Sequence, residues 1–338
     1  MAALDQMTAL GRPSVADPNM DLLDEHHTAW DILKSHSVTK DVKDKRIDIP
    51  IRTKRLPGGA YQYYDPLVPQ AVEQFQVPQV EWRNHYVDIA ISGDELLENA
   101  GLTVDDVESA RSLGSINGDD RQILVNLMAA KLAKAEPDLD NLMAVQLWND
   151  TASSANKWMS GFNQIIVNNT ADYAGKSVSA FGVGKDGLNL WAGISNGTAG
   201  NTDIYDNDSI KTDRAAIVRG RKVSSNMFFV FMDPDLYGGL EQSIGLSAIQ
   251  NPPDAELGYE SMTYRRMRYM EDNDTPANTA YYVNLMGMQL HIHKRRNYRL
   301  ESWKVRHDQD TISTRMVLRC QLLCWDRRRQ GVRLGIDL

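Results

Sequence analysis

One serine lies in a sequence pattern that is typical of nucleophilic hydrolases. Ser195 is the central residue of GISNG, residues 193–197, which satisfies the pattern Gly-x-Ser-x-Gly. In hydrolases of this kind a strand precedes the serine and a helix follows it, so that the hydroxyl is held at a tight turn. The residues that follow here, TAGNTDIYDND, have low helix propensity. The sequence therefore favours a Gly- and Ser-rich loop, and a serine hydrolase using Ser195 is kept as an alternative from a different function class.

Two histidines and three aspartates are the candidate metal ligands. His291 and His293 alternate along a predicted strand and so share one face, a geometry that zinc uses. A third ligand is missing from their neighbourhood, which favours a solvated or hydrogen-bonded pair. Asp203, Asp206 and Asp208 lack the glycine and the terminal glutamate of a calcium loop. We predict no metal site and no cofactor.

Glycine-rich and basic segments are the candidate phosphate-binding sites. FGVGKDG, residues 181–187, does not satisfy the pattern G-x-x-x-x-G-K-[ST]. Basic clusters at residues 265–268, 293–296 and 327–329 have no aromatic residues interleaved at regular spacing. Subunit contacts or a charged surface explain them better than a nucleic-acid groove. With no catalytic constellation left, the sequence predicts a protein that is not an enzyme.

Charge is distributed unevenly along the chain. The formal net charge is −8, yet residues 261–338 contain 15 Lys and Arg against 8 Asp and Glu, so the preceding part is strongly acidic. One end of the chain could pair with the other end of a neighbouring copy, with an ordinary solvated surface as the simpler alternative.

No segment predicts export or membrane insertion. The longest apolar runs, such as residues 227–232, are far shorter than the ~20 residues that cross a bilayer. The N-terminal residues show neither region of a secretory signal. Cys320 and Cys324 lie four apart in a predicted strand, about 13 Å at ~3.3 Å per residue, which is too far for a disulfide. We expect a cytosolic protein with reduced, buried thiols.

A long β-hairpin with an aromatic loop is the most unusual predicted element. In RIDIPIRTK, residues 46–54, isoleucines alternate with other residues, and FQVPQVEWRNHYVDIAIS, residues 75–92, returns as a second strand whose phase shifts twice, as a bend requires. The loop RLPGGAYQYYDPLVP, residues 55–69, is too rich in proline and glycine for regular structure. Because an isolated two-stranded ribbon is marginal in water, we expect another molecule to cover its apolar faces and its tip.

The rest of the chain separates helices from strands and predicts an α+β protein. Ser92 is a predicted helix N-cap and Gly101 the matching stop. Residues 118–150 predict one long helix, with Pro137 as a kink or break.

Residues 151–225 are rich in Asn, Gly, Asp, Ser and Thr, with short strand-like pieces at 164–167 and 188–191. A buried strand ending at Met232 follows, then a short helix from Asp235, and the remaining chain is largely strand.

This order of elements resembles the major capsid proteins of tailed bacteriophages, which have the Hong Kong 97 fold. The resemblance covers nearly the whole chain. It rests on the hairpin returning through VEWRNHYVDIAISGDEL, the helix ending at QLWND, the segments FNQIIVNN, ADYAGKS and FFVFMDPDLYGGLEQS, and the closing strand that leads to RRRQGVRLGIDL.

The resemblance implies a division of the chain into four parts. Residues 1–39 would be an N-terminal arm, 40–92 an extended loop, 93–170 with 296–338 a peripheral domain containing a long spine helix, and 171–295 an axial domain. It also implies that apolar residues of the extended loop contact an adjacent subunit: Tyr61, Tyr63, Tyr64, Leu67, Val68, Phe75 and Trp82.

The function implied is that of a major capsid protein that self-assembles through hexamers and pentamers into an icosahedral shell around packaged double-stranded DNA. It would belong to the virion and be made in the host bacterial cytoplasm. A separate scaffolding protein is expected because the residues before the hairpin are too few to serve as one, and a portal is a further expected partner. The alternatives within virus-like architecture are an encapsulin-like nanocompartment shell and a tail or connector subunit.

Overall fold

The computed structural model describes residues 27–52, 75–105, 118–148, 157–167, 173–181, 191–197, 203–219, 224–244, 261–306 and 309–337. These residues form two compact units. The first unit contains the described residues within 84–143 and 293–319, and the second contains those within 27–83, 144–292 and 320–338. In the described part of the chain, no helix combines the length and apolar content needed to span a membrane.

The structure combines helices with strands, which confirms the predicted α+β class. The described helices are α1 (Thr28–Ser35), α2 (Gly93–Ala100), α3 (Gly118–Trp148), α4 (Asn207–Val218) and α5 (Pro234–Ile244). The strands are β1 (Val38–Lys40), β2 (Arg46–Asp48), β3 (Ile51–Arg52), β4 (Phe75–Gln76), β5 (Gln79–Glu81), β6 (Arg83–Ser92), β7 (Ile194–Asn196), β8 (Asp203–Ile204), β9 (Phe228–Met232), β10 (Ser261–Tyr264), β11 (Met267–Glu271), β12 (Thr279–Asn284), β13 (Met288–His293), β14 (Arg299–Leu300), β15 (Lys304–Arg306), β16 (Thr311–Cys324), β17 (Gly331–Leu334) and β18 (Ile336–Asp337).

Helix α2 of the first unit begins and ends where the sequence predicts. The Ser92 side chain accepts a hydrogen bond from the Glu95 amide, and the Glu95 carboxylate accepts one from the Ser92 amide, which completes a capping box. Gly101 ends the helix in the left-handed conformation at φ 62°. Both predicted signals are confirmed.

The core of the first unit joins α2 and the N-terminal part of α3 to strand residues. Its buried members are Ile91, Leu96, Leu102, Val104, Leu124, Leu127 and Ile312. Strands β6, β14 and β15 all pair with β16. The long helix is confirmed, and Pro137 lies inside it without ending it.

The second unit contains a mixed six-stranded sheet in the order β10-β11-β9-β12-β17-β7. Strand β9 is buried at every residue, pairs parallel with β11 and pairs antiparallel with β12. A strand enclosed on both faces reads as a continuous apolar run, as FFVFM does. The buried strand ending at Met232 and the helix after it are both confirmed.

Aromatic rings pack against one side of this central strand. Trp148 lies edge-on to Phe162, Phe231 and Tyr281, with ring centroids 5.0 to 6.2 Å apart. Such edge-to-face pairs add to the stabilisation from area burial. The last turn of α3 is thereby fixed to the sheet.

A buried polar network lies on helix α4. Asp213 accepts hydrogen bonds from Arg333 Nε at 2.7 Å, from the Tyr282 hydroxyl at 2.9 Å and from Asn196 Nδ2 at 2.6 Å. Burial lowers the pKa of Arg333, but the hydrogen bond and charge of Asp213 outweigh that effect and raise it. Burial also raises the pKa of Tyr282, whose hydroxyl lies 2.5 Å from that of Tyr205.

One prediction for residues 151–225 is wrong, and one helix of this region was not predicted. Residues 164–167 were expected as a strand, but Asn163–Val167 is a π-helical turn. Periodicity cannot separate the two for so short an apolar run. The region also contains helix α4, which the polar composition hid, although Asp206 caps it by accepting from the Ser209 amide at 2.8 Å.

A fully buried arginine joins three segments that are distant in sequence. Arg327 donates from Nε to the Ile165 carbonyl at 2.8 Å and from a terminal nitrogen to the Trp191 carbonyl at 2.9 Å. Its guanidinium carbon lies 5.6 Å from the centre of the Tyr173 ring. Burial lowers the pKa of Arg327. The π-helical turn and the two chain segments around Tyr173 and Trp191 are therefore held by one cation.

We predict that Asp213→Ala destabilises the protein by about 3–5 kcal/mol, because it leaves Arg333 as a buried charge without this partner. Lys211→Ala on the same helix is the matched control, since its ion pair with Asp208 is exposed and contributes less than about 1 kcal/mol. Urea unfolding of the two variants provides the measurement. Equal losses would contradict the role assigned to Asp213.

Candidate functional site

The predicted hairpin is present in the described residues on both sides of its loop. Strand β2 pairs antiparallel with β5, placing Ile47 opposite Val80, and β3 pairs antiparallel with β4, placing Ile51 opposite Gln76. The two predicted phase shifts correspond to the breaks between β4, β5 and β6. Residues 53–74, which include the aromatic loop, lie outside the described residues.

The base of the hairpin is covered by its own chain. Ile47, Ile49, Val80 and Trp82 are all buried. We expected another molecule to cover the apolar faces, and for this part of the ribbon that expectation is wrong. The reason is that alternation identifies an apolar face without identifying what packs on it.

A backbone hydrogen bond fixes the hairpin base to a tight turn. The Gln79 amide donates to the Ala174 carbonyl at 3.0 Å. Next to Ala174, the hydroxyl of Tyr173 accepts from the Cys324 amide at 3.0 Å and lies 3.4 Å from the Leu322 carbonyl. The hairpin is thereby joined to a turn whose Tyr173 side chain is buried.

Exposed apolar side chains begin where the described hairpin approaches its loop. Phe75 is 55% exposed and Val77 is 42% exposed. Trp82 is only 4% exposed, so its ring packs within its own subunit and offers little surface to a neighbour. The other predicted contact residues, Tyr61, Tyr63, Tyr64, Leu67 and Val68, lie outside the described residues.

Ser195 does not lie at a nucleophile elbow. It is in strand β7 and pairs with Val332. Both glycines of the motif have packing reasons: a Cβ at Gly193 would lie 2.6 Å from the Ile166 carbonyl oxygen, and one at Gly197, where φ is 75°, would lie 2.1 Å from the Leu334 carbonyl oxygen. The motif is explained by close backbone approach.

Three of the five candidate metal ligands have other side-chain partners in the structure. Asp206 caps helix α4, and Asp208 pairs with Lys211. His293 accepts from the Arg295 amide at 3.2 Å, and His291 is buried on the same strand. In the described ranges, no group of three or more His, Cys, Asp or Glu side chains could hold a metal ion.

The cysteines are free and buried, as predicted. Burial raises the pKa of both thiols, to about 12 for Cys324. The basic cluster at residues 327–329 is partly structural, since Arg327 and Arg328 are buried.

Comparisons with solved structures match the chain over nearly its whole length. The capsid asymmetric unit of cyanophage A-1(L) superposes with a TM-score of 0.64 at 14% identity, covering 96% of each chain. The capsid of a native GTA particle gives 0.57 at 11% identity, covering 99% of this chain and 98% of the other. The SrpI encapsulin of Synechococcus elongatus gives 0.53 at 8% identity, covering 100% and 96%. No protein-family model and no curated protein sequence matches significantly.

The chain has the Hong Kong 97-type capsid fold. The resemblance read from the order of elements is thereby confirmed at the level of fold. The extended hairpin of this fold has exposed apolar residues next to its loop and buried apolar residues at its base.

Substitutions of the exposed Phe75 and the buried Trp82 test this difference in burial. We predict that Phe75→Ser changes the free energy of unfolding by less than about 0.5 kcal/mol, because the ring is exposed. Trp82→Ala should cost about 3–5 kcal/mol, because it removes a buried aromatic ring. Urea unfolding of the unassembled subunit measures both. A large loss from Phe75→Ser would show that the hairpin folds back on its own subunit.

His291 predicts a loss of stability in acid. Burial, followed by the charge of Lys40, lowers its pKa from 6.5 to about 4. The unfolded chain therefore binds a proton that the folded state resists, so this contribution is complete above pH 6.5 and decreases as the pH falls towards 4. His291→Gln should remove about 2 kcal/mol of the stability lost between about pH 7 and pH 5.

The measurement is urea unfolding at several pH values, with the half-buried His36 changed to Gln as the control. An unchanged pH dependence in His291→Gln would exclude this histidine as the source.

Proposed function

We propose that this protein is a major capsid protein that self-assembles into a closed icosahedral shell. The observation that carries the proposal is the mutual coverage with shell components: nearly all of this chain matches nearly all of the cyanophage and GTA capsid chains. The match therefore extends over the given chain and is not confined to one part of it. In this proposal, hexamers and pentamers are the assembly units.

The hairpin supplies a physical reason for assembly. Phe75 and Val77 present apolar surface at the end of a ribbon whose base is buried and hydrogen-bonded to its own chain. The adjoining loop adds Tyr61, Tyr63, Tyr64, Leu67 and Val68. Aromatic anchors of this type contribute most of the binding energy at protein interfaces. We propose that these residues contact a neighbouring copy, and we omit the buried Trp82 from the contact set.

The proposed content of the shell is double-stranded DNA. A net charge of −8 limits non-specific adhesion to a packaged polyanion. The remaining proposals follow from the capsid role: synthesis in a bacterial cytoplasm, location in the virion, a separate scaffolding protein and a portal. The division into arm (1–39), extended loop (40–92), peripheral domain (93–170 and 296–338) and axial domain (171–295) is likewise proposed.

A nanocompartment shell is the second candidate. It is favoured by the similarity to the Synechococcus encapsulin, which covers all of this chain. Such a shell would enclose a protein cargo in place of DNA.

The structure gives the hydrolase alternative no support, because Ser195 lies in a strand between two glycines that packing requires.

Electron microscopy of the protein expressed alone and with its neighbouring genes tests the proposal. Closed shells or capsomers are the expected result, and nuclease-protected DNA inside co-expressed shells would separate a capsid from a nanocompartment. Tubes or single twelve-fold rings would support a tail or connector subunit. A stable monomer at high concentration would overturn the proposal.

The loop tyrosines should act on assembly and not on folding. We predict that Tyr63→Asp combined with Tyr64→Asp abolishes shell formation, because charge at a desolvated aromatic contact is unfavourable. The control pair, Tyr63→Phe with Tyr64→Phe, keeps the rings and should keep assembly. Circular dichroism reports folding and sedimentation reports shells. Normal shells from the aspartate pair would exclude the loop from the interface.

A further inference from the structure

One face of the first unit carries a row of cations. In antiparallel pairing, directly opposed residues lie on the same face of a sheet, and alternate residues along a strand share that face. Arg299 is opposite Val317, and Lys304 is opposite Ser313. Ser313 and Val317 alternate with Arg315 and Arg319 along β16. The sheet therefore places four cations on one face, named here the basic face: Arg299, Lys304, Arg315 and Arg319.

Strand β6 and the turn after β13 extend the basic face. Arg315 Nε donates to Asp88 at 2.5 Å, and its guanidinium lies 5.1 Å from the centre of the Tyr86 ring. Arg296 donates to the Asn84 side chain at 3.3 Å. Tyr86 is 54% exposed, so the face combines positive charge with open aromatic surface.

Two cations of this region, Arg296 and Arg319, are close enough to repel each other. Burial and then the charge of Arg296 lower the pKa of Arg319. Lys294, Arg295, Arg296, Arg299 and Lys304 are all exposed. The carboxylates of Asp88 and Glu301 both act on Arg315. An anionic partner would relieve this repulsion.

The chain contains a segment of complementary charge. Residues 1–26 hold five acidic side chains, Asp5, Asp17, Asp21, Asp24 and Glu25, against one basic side chain, Arg12. Three of the acids flank Leu22 and Leu23. The carboxylates of this segment complement the cations of the basic face, and its two leucines complement the exposed ring of Tyr86.

We propose that the acidic segment of residues 1–26 docks on the basic face. An extended segment of 26 residues spans up to about 90 Å. A peptide is favoured over a nucleic-acid duplex because Leu22 and Leu23 can pack on the exposed ring of Tyr86, whereas the bases of a duplex are already stacked on one another. The inference does not depend on the shell function.

Carbodiimide coupling of the full-length protein is the test. The reagent condenses a carboxylate with a lysine amine that it touches, with loss of water, and mass spectrometry then identifies the joined peptides. We expect residues 1–26 to become linked to Lys304 or Lys294, and molar salt to suppress the products at least tenfold. Lys211 with Asp208, 2.6 Å apart, is the internal positive control.

Charge reversal makes the test specific. Arg296→Glu with Arg299→Glu should reduce the cross-links at least tenfold, whereas the control pair Lys157→Glu with Arg266→Glu, also exposed, should not. Adding Asp21→Lys and Asp24→Lys to the first pair should create new links between positions 21 or 24 and 296 or 299. Mixing isotope-labelled and unlabelled copies tells whether the segment docks on its own copy or on a neighbour, and either supports the proposal.

Three results would overturn the proposed docking of residues 1–26 on the basic face. Residues 1–26 could couple only to other lysines, the cross-links could survive reversal of Arg296 and Arg299, or duplex DNA could bind the protein and be lost on that reversal. Microscopy of the same samples keeps the two proposals separate. Shells without these cross-links reject only the docking, and cross-links without shells reject only the capsid role.

Discussion

The buried guanidinium of Arg327 joins three segments of the second unit that are distant in sequence. A cation withdrawn from water is stable only when its donors are satisfied, and here carbonyls of the segments around Ile165 and Trp191 satisfy them while the Tyr173 ring lies alongside. Tyr173 begins the turn whose Ala174 carbonyl receives the hairpin. The base of the hairpin is therefore hydrogen-bonded to a turn that packs beside this buried charge.

Local patterns in the sequence predicted the elements whose physics is local. Alternation identified the hairpin strands, a continuous apolar run identified β9, and Ser92 and Gly101 identified the ends of α2. These signals depend on neighbouring residues alone, so no knowledge of packing is needed. The fold could be recognised because the order of such elements is itself distinctive.

What the sequence could not predict depends on contacts between distant residues. Trp82 is buried because the hairpin base packs on other residues of its own subunit, and alternation along a strand does not identify those residues. Helix α4 was hidden by polar residues whose partners, such as Arg333 for Asp213, lie more than a hundred positions away. The basic cluster at 327–329 suggested a surface, yet Arg327 and Arg328 are interior. The sequence shows that a residue is charged, but it does not show whether its side chain is buried or exposed to solvent.

The two buried thiols have a practical consequence for engineering. The chain contains two cysteines, both enclosed in strand β16, and burial keeps both protonated at neutral pH. Maleimides and other thiol-directed reagents attack the thiolate, so the native protein presents them with an inert background. A cysteine introduced at an exposed position would then be labelled selectively. Each copy could carry one dye, ligand or enzyme at a chosen point without removing any native sulfur.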